Sequence, residues 1–137
     1  MQTFLPYPDF AHSAATLDRQ RLGKQRVEVL QIVRALRGET KGWVNHPATR
    51  MWRGHVTALI DYGLAVCDEW TRRGYRDSVA AKLLDYRTSD PTYNGLPPWL
   101  GDEAFHAAHR AKLVEKNPAH YVPLFGSLPS TEYVWPV

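Results

Sequence analysis

The sequence predicts an all-α protein. It reads as a single compact helical domain over residues 1–137, with about three main helices, an extended N-terminal segment and an irregular aromatic C-terminal tail. Three observations predict this. Apolar residues recur at the 3.6-residue helical period in two long stretches. No stretch shows the sustained period-two alternation of a half-buried strand. Start and stop residues bracket the periodic runs, Asp18 and Gly38 around the first, Asn45-His46-Pro47 and Gly74 around the second.

Each element follows in order. Asp9 caps a short helix through Ala15. Asp18 caps a longer one from Arg19 to Arg37, on which Leu22, Val29, Ile32, Val33 and Leu36 share a face. A helical wheel stacks Arg21, Lys24 and Glu28 beside that face. A third helix starts at Pro47 and runs to Gly74 on the stripe Trp52, Val56, Leu59, Ile60, Gly63, Val66, Cys67 and Trp70. Ser78 to Tyr86 reads as one more short helix. Thr88 to Gly101, with Pro91, Gly95, Pro97 and Pro98, reads as a loop. Asp102 caps a last helix through Lys116, and Pro118 ends it or starts another turn. Tyr121 to Val137 carries Pro123, Pro129 and Pro136 and is expected to pack as extended chain. Trp52, Val56, Leu59, Ile60, Val29 and Val33 are the expected core.

Composition narrows the function. Hydrophobic residues make up 44% and charged residues 23%, a globular balance. One cysteine, Cys67, excludes an internal disulfide and a cysteine-rich zinc site. The N-terminus has neither the basic nor the apolar region of a signal peptide, and no apolar run suggests a membrane span. A cytoplasmic protein is therefore expected, and a monomer is the expected state. The net charge of +3 is unevenly spread. Between Arg19 and Arg53 stand nine basic residues against Glu28 and Glu39 alone. Such a stretch is either a solvated helix face or a surface for nucleic acid, with Arg19, Arg21, Lys24, Arg26, Arg50 and Arg53 as its contacts.

Few residue patterns carry chemistry. His106 and His109, at i and i+3, lack a third ligand at a metal-site spacing, so they read as solvated or capping histidines and no metal is expected. Cys67 lies in an apolar stripe and reads as an inert thiol. Neither a serine-hydrolase elbow nor a glycine-rich phosphate loop is present, and no cofactor is implied. Trp43 and Trp99 offer stacking surfaces or core packing. Glu28 stands out. It is the only acid between Asp18 and Glu39, on a helix that otherwise carries Arg21, Lys24 and Arg26. A carboxylate in that company is held ionised and can stabilise a developing cation. The alternative is an ordinary pair with Lys24, in the less favourable helical orientation.

Three stretches carry a resemblance. They are Gln20-Arg21-Leu22 with Glu28-Val29-Leu30, then Asn45-His46-Pro47 through Glu69-Trp70-Thr71-Arg72-Arg73-Gly74-Tyr75, and last Arg110 to Tyr121 followed by Phe125-Gly126. In order and spacing they resemble the pyrimidine-dimer DNA glycosylase family, also called the endonuclease V family, in a divergent bacterial branch. The resemblance implies a helical fold with the N-terminal segment threaded between two helices. It implies a damaged duplex DNA partner, and thus a nucleoid-associated protein. It also implies two linked reactions, base removal by an N-terminal α-amine and strand cleavage through the resulting Schiff base. An α-amine, with a pKa near 7.7–8.0, is partly neutral at pH 7. Glu28 matches the family's catalytic glutamate, Arg21 the place of a DNA-contacting histidine, and His46 a histidine opening the third helix. Arg26 lies close to a family arginine. Gln2 is bulky enough to keep Met1 in place, which puts the amine on Met1; an amine on Gln2 could cyclise. A non-catalytic DNA-binding or protein-interaction module, or an enzyme with the same amine and carboxylate but another substrate, are the other readings.

Overall fold

Asp9 starts the first helix because its carboxylate accepts the His12 N–H at 2.7 Å, one of the donors a helix start leaves free. In the computed structural model, which describes residues 1–137, that helix, α1, covers Phe10–Thr16. Then come α2 (Arg19–Leu36), α3 (Pro47–Arg50), α4 (Val56–Arg72), α5 (Val79–Ser89), α6 (Glu103–Lys116) and α7 (Pro118–Phe125). The protein is all-helical, but with seven helices rather than about three.

Two differences account for much of the change. The long helix expected from Pro47 to Gly74 is two helices. Its apolar period continues across the break, but Gly54 takes a left-handed φ of 84° and His55 an irregular φ of −133°. Trp52 still reaches the core, while Val56 begins a new axis and is only partly buried. The second difference is α7, which takes Tyr121 to Phe125 out of the expected extended tail. Asn117 caps it, Pro118 opens it, and Tyr121 is fully buried with its hydroxyl on the Asp18 carboxylate. Asp18 therefore makes no side-chain cap for α2; it binds Tyr121 and Arg21 instead. Of that tail, only the residues from Gly126 onward lack helix.

The core lies where α2 and α4 cross. Leu22, Val29, Ile32 and Val33 meet Leu59, Ile60, Tyr62 and Val66, all fully buried. Gly63 makes the approach possible. A Cβ there would stand 2.6 Å from Val29 Cγ1 and 2.8 Å from Leu83 Cδ1. Gly63→Ala gains up to about 1 kcal/mol in helix propensity but overpacks at a cost of about 1–3 kcal/mol. We expect a net loss, read as a lower urea midpoint; an unchanged or raised midpoint contradicts this account of the crossing.

Residues 1–8 form no helix, yet Gln2, Thr3, Phe4 and Leu5 are buried. Buried peptide groups need partners. Here side chains supply them. Gln25 on α2 accepts the Phe4 N–H at 2.5 Å and donates to the Gln2 carbonyl at 2.6 Å. Tyr62 on α4 donates to the Phe4 carbonyl at 2.6 Å. His109 on α6 accepts the Leu5 N–H through Nδ1 at 2.9 Å, and His106 Nδ1 donates to the Leu5 carbonyl at 2.7 Å. Trp52 donates to the Thr3 hydroxyl at 3.0 Å. The segment is thus held by α2 on one side and α6 on the other, with α4 contributing Tyr62.

Candidate active site

Glu28 sits on α2 with 8% of its surface exposed, so its carboxylate is not one half of a solvated pair. Oε2 accepts the backbone N–H of Gln2 at 3.2 Å and the Gln25 amide at 3.3 Å. Oε1 faces Lys24 Nζ at 3.6 Å, and Lys24 is mostly exposed. The first residues of the chain and the carboxylate therefore meet, although 26 positions separate Gln2 from Glu28.

They meet in a cleft of about 270 Å³. Met1, Gln2 and Phe4 line one side, and Gln20, Arg21, Lys24, Gln25 and Glu28 of α2 line another. Lys116 and Tyr133 complete it. The helical wheel anticipates the α2 wall, because residues 21, 24 and 28 share a face. Arg21 is steadied by Asp18 at 3.3 Å. Burial works against ionising that aspartate, but the Tyr121 hydroxyl and the Arg21 guanidinium hold its carboxyl below the usual range.

The remaining candidates are not part of the cleft lining. His46 caps α3, its Nδ1 accepting the Ala48 N–H at 3.0 Å. Partial burial lowers its proton affinity; the positive N-terminal amine adds to this and Glu28 opposes it. His46 thus lies in the electrostatic field of both cleft groups. Arg26 does not line the cleft. It pairs with Asp77 at 2.5 Å and lies 4.5 Å from the Trp70 ring centroid. Arg19 shares that flank, exposed above Tyr75. Arg50 and Arg53 are exposed at the end of α3, and Arg53 also donates to the Val44 carbonyl.

Some residues take roles the sequence does not announce. Gln25 is the main bridge between α2 and the N-terminal segment; its only sequence signal is a polar residue three positions before Glu28 on a half-apolar helix. Lys116 and Tyr133 enter the cleft from the far end of the chain; Lys116 belongs to the Arg110 to Tyr121 stretch of the resemblance, and nothing local marks Tyr133. His106 and His109 are completely buried, not solvated, because both ring Nδ1 atoms are committed to the Leu5 peptide. Burial pushes His109 down to about 3, with neighbouring His106 adding to it. Cys67 is buried, and burial together with the Asp77 carboxylate pushes its thiol up to about 12. That thiol is a poor nucleophile. Trp99 is a core residue whose indole donates to the Met51 carbonyl, whereas Trp43 is half exposed.

No helix is long and apolar enough to cross a membrane. No curated protein and no solved structure matches the chain. The family model for pyrimidine dimer DNA glycosylase matches residues 1–83. That range holds the N-terminal segment, α1 to α4 and Glu28, and it leaves out Arg110 to Tyr121. With 83 of its 137 residues inside the match, the chain belongs to the pyrimidine dimer DNA glycosylase family.

Proposed function

We propose that the protein is a DNA glycosylase with an associated abasic-site lyase activity, acting on pyrimidine-dimer-type damage in duplex DNA. The observation that carries this reading is the hydrogen bond from the Gln2 N–H to Glu28 at the floor of a basic cleft. It brings the start of the chain and a nearly buried carboxylate to one place. The nucleophile is the Met1 α-amine, and Glu28 stabilises the sugar cation. Arg21, Lys24 and Lys116 meet phosphates at the rim, with Arg19, His46, Arg50 and Arg53 extending the footprint and Arg26 bracing its flank. Every group comes from one chain, so a monomer suffices.

The chemistry runs in two stages. The amine nitrogen forms a bond to C1′ and loses a proton, while the bond from C1′ to the damaged base breaks. The electron pair leaves with the base, which takes up a proton. Opening of the C1′–O4′ bond gives an imine. A C2′ proton then passes to Glu28, the electrons form the C2′–C3′ double bond, and the 3′ phosphate departs. Charge at Glu28 favours both the cationic sugar and the proton removal. DNA must be distorted to expose C1′.

Lys24 and Lys116 are the rival amines in the cleft. A lysine with a pKa near 10.4 is less than about 0.1% neutral at pH 7, against about a tenth of an α-amine. Borohydride is therefore expected to trap an adduct between abasic duplex and the protein that maps to the Met1 nitrogen. An adduct on Lys24 or Lys116 overturns the amine assignment and spares the lyase. No adduct on any residue overturns the catalytic reading.

A further inference from the structure

Trp43 is the one non-glycine residue with a left-handed backbone, at φ 67°. L side chains rarely adopt this conformation, and a bulky aromatic is among the least suited to it. Gly42, the residue before it, does not take the left-handed place; the tryptophan does. Such strain persists where surrounding structure enforces it, and it concentrates at functional sites. Here the His46 N–H bonds to the Trp43 carbonyl at 3.1 Å, and Arg53 holds the Val44 carbonyl at 3.3 Å. The turn is braced on both sides, and its product is an indole with 50% of its surface exposed.

Three of the other four tryptophans are used differently. Trp52, Trp70 and Trp99 tie their indole N–H groups to Thr3, Arg76 and Met51. Trp43 and Trp135 have no such bond, and of the two Trp43 is the exposed one. Its ring stands edge-to-face with His46, 5.5 Å between centroids, and His46 in turn meets Trp135 at 6.0 Å. Trp135 in turn lies 5.4 Å from the ring of Tyr133, which lines the cleft, so an unbroken row of rings runs from Trp43 to the cleft wall. Lys41, Arg50 and Arg53 are exposed close to it in the chain.

We infer that Trp43 is a stacking platform for an unpaired nucleobase at the edge of the cleft. This rests on the DNA reading above. Exposing C1′ at a damaged or abasic position leaves the facing base unpaired, and that base loses stacking when the duplex is distorted. A rigid, exposed indole among cations replaces the lost stacking, whichever base arrives, because every base has a π face. The strained turn holds the ring in the open so that no side-chain rearrangement is needed when DNA docks.

The test uses full-length protein and two probes, an abasic duplex and 2-deoxyribose 5-phosphate, which has the same aldehyde and no base. Trp43→Ala is expected to weaken duplex affinity and slow borohydride trapping on duplex by about 5- to 150-fold, the range that base–aromatic stacking spans. Its trapping on the sugar phosphate should equal that of the parent. Trp43→Phe should keep most of the duplex rate. Trp43→Gly should raise the melting temperature while losing duplex affinity, a combination that a merely structural tryptophan does not give. Parental duplex affinity in Trp43→Ala overturns the platform. So does an equal loss on both probes. If the parent protein traps neither probe, the amine chemistry falls, and the affinity comparison still decides the platform.

Discussion

Glu28→Gln should lose turnover on damaged duplex by about 100- to 1,000-fold, the cost of removing one preorganised charge-stabilising group. Affinity for the DNA should hold or rise, because a negative charge leaves a basic cleft. The substitution fits the geometry. A glutamine oxygen at the Oε2 position still accepts the Gln2 and Gln25 N–H groups at 3.2 and 3.3 Å, so the N-terminal segment stays in place. Single-turnover cleavage and a binding titration on the same duplex separate the two effects. Turnover within about threefold of the parent would remove Glu28 from the chemistry. Equal losses of affinity and turnover would make it a structural residue.

Stability should fall by about 2–3 kcal/mol as pH drops from 6.5 to 4.5, with His109 as the main cause. Its folded-state pKa is depressed to about 3 by burial, against about 6.5 for an unfolded histidine. The unfolded chain therefore takes up the proton first. The stabilisation is complete above about pH 6.5 and drains away as pH falls toward 3. His46 is lowered too and acts in the same direction. The carboxyl groups of Asp18, Glu69 and Asp77 are also held below their usual values, but most of their contribution is lost below about pH 4.5, and only the start of it, chiefly from Glu69, falls at the acid edge of this window. Urea unfolding at several pH values measures the slope. His109→Gln keeps a side-chain acceptor for the Leu5 N–H and should flatten most of it. A flat parent profile, or an unchanged slope in the variant, contradicts the assignment.

What the sequence discloses follows the range of the interactions. The face of α2 is readable because Leu22, Val29, Ile32 and Val33 obey a local period, and the same period sets Arg21, Lys24 and Glu28 in one row. The break between α3 and α4 is not readable that way. Trp52 and Val56 keep the helical phase across Gly54, and only the glycine hints at the reversal. The helix α7 depends on Tyr121 meeting Asp18 from 103 positions away, which no local pattern encodes. His106 and His109 are misread for a related reason. Two polar rings on a short helix suit solvent until a distant peptide, at Leu5, occupies both of them. Lys116 and Tyr133 reach the cleft by the same long-range route.

The clamp on Leu5 has a consequence for how the chain is made. Leu5 leaves the ribosome well before the rings that hold its peptide, which lie 101 and 104 positions later. At about 5–20 residues per second, some 5–20 s of synthesis separate the two. Through that interval the opening segment has no α6 to dock against, and it stays open to whatever acts on nascent chains. The Leu5 stretch is made before its clamp and locked after it, so the candidate site beside it is assembled as a closing step. Mutations that slow the docking of α6 should leave a protein with native helix content and an unanchored front end.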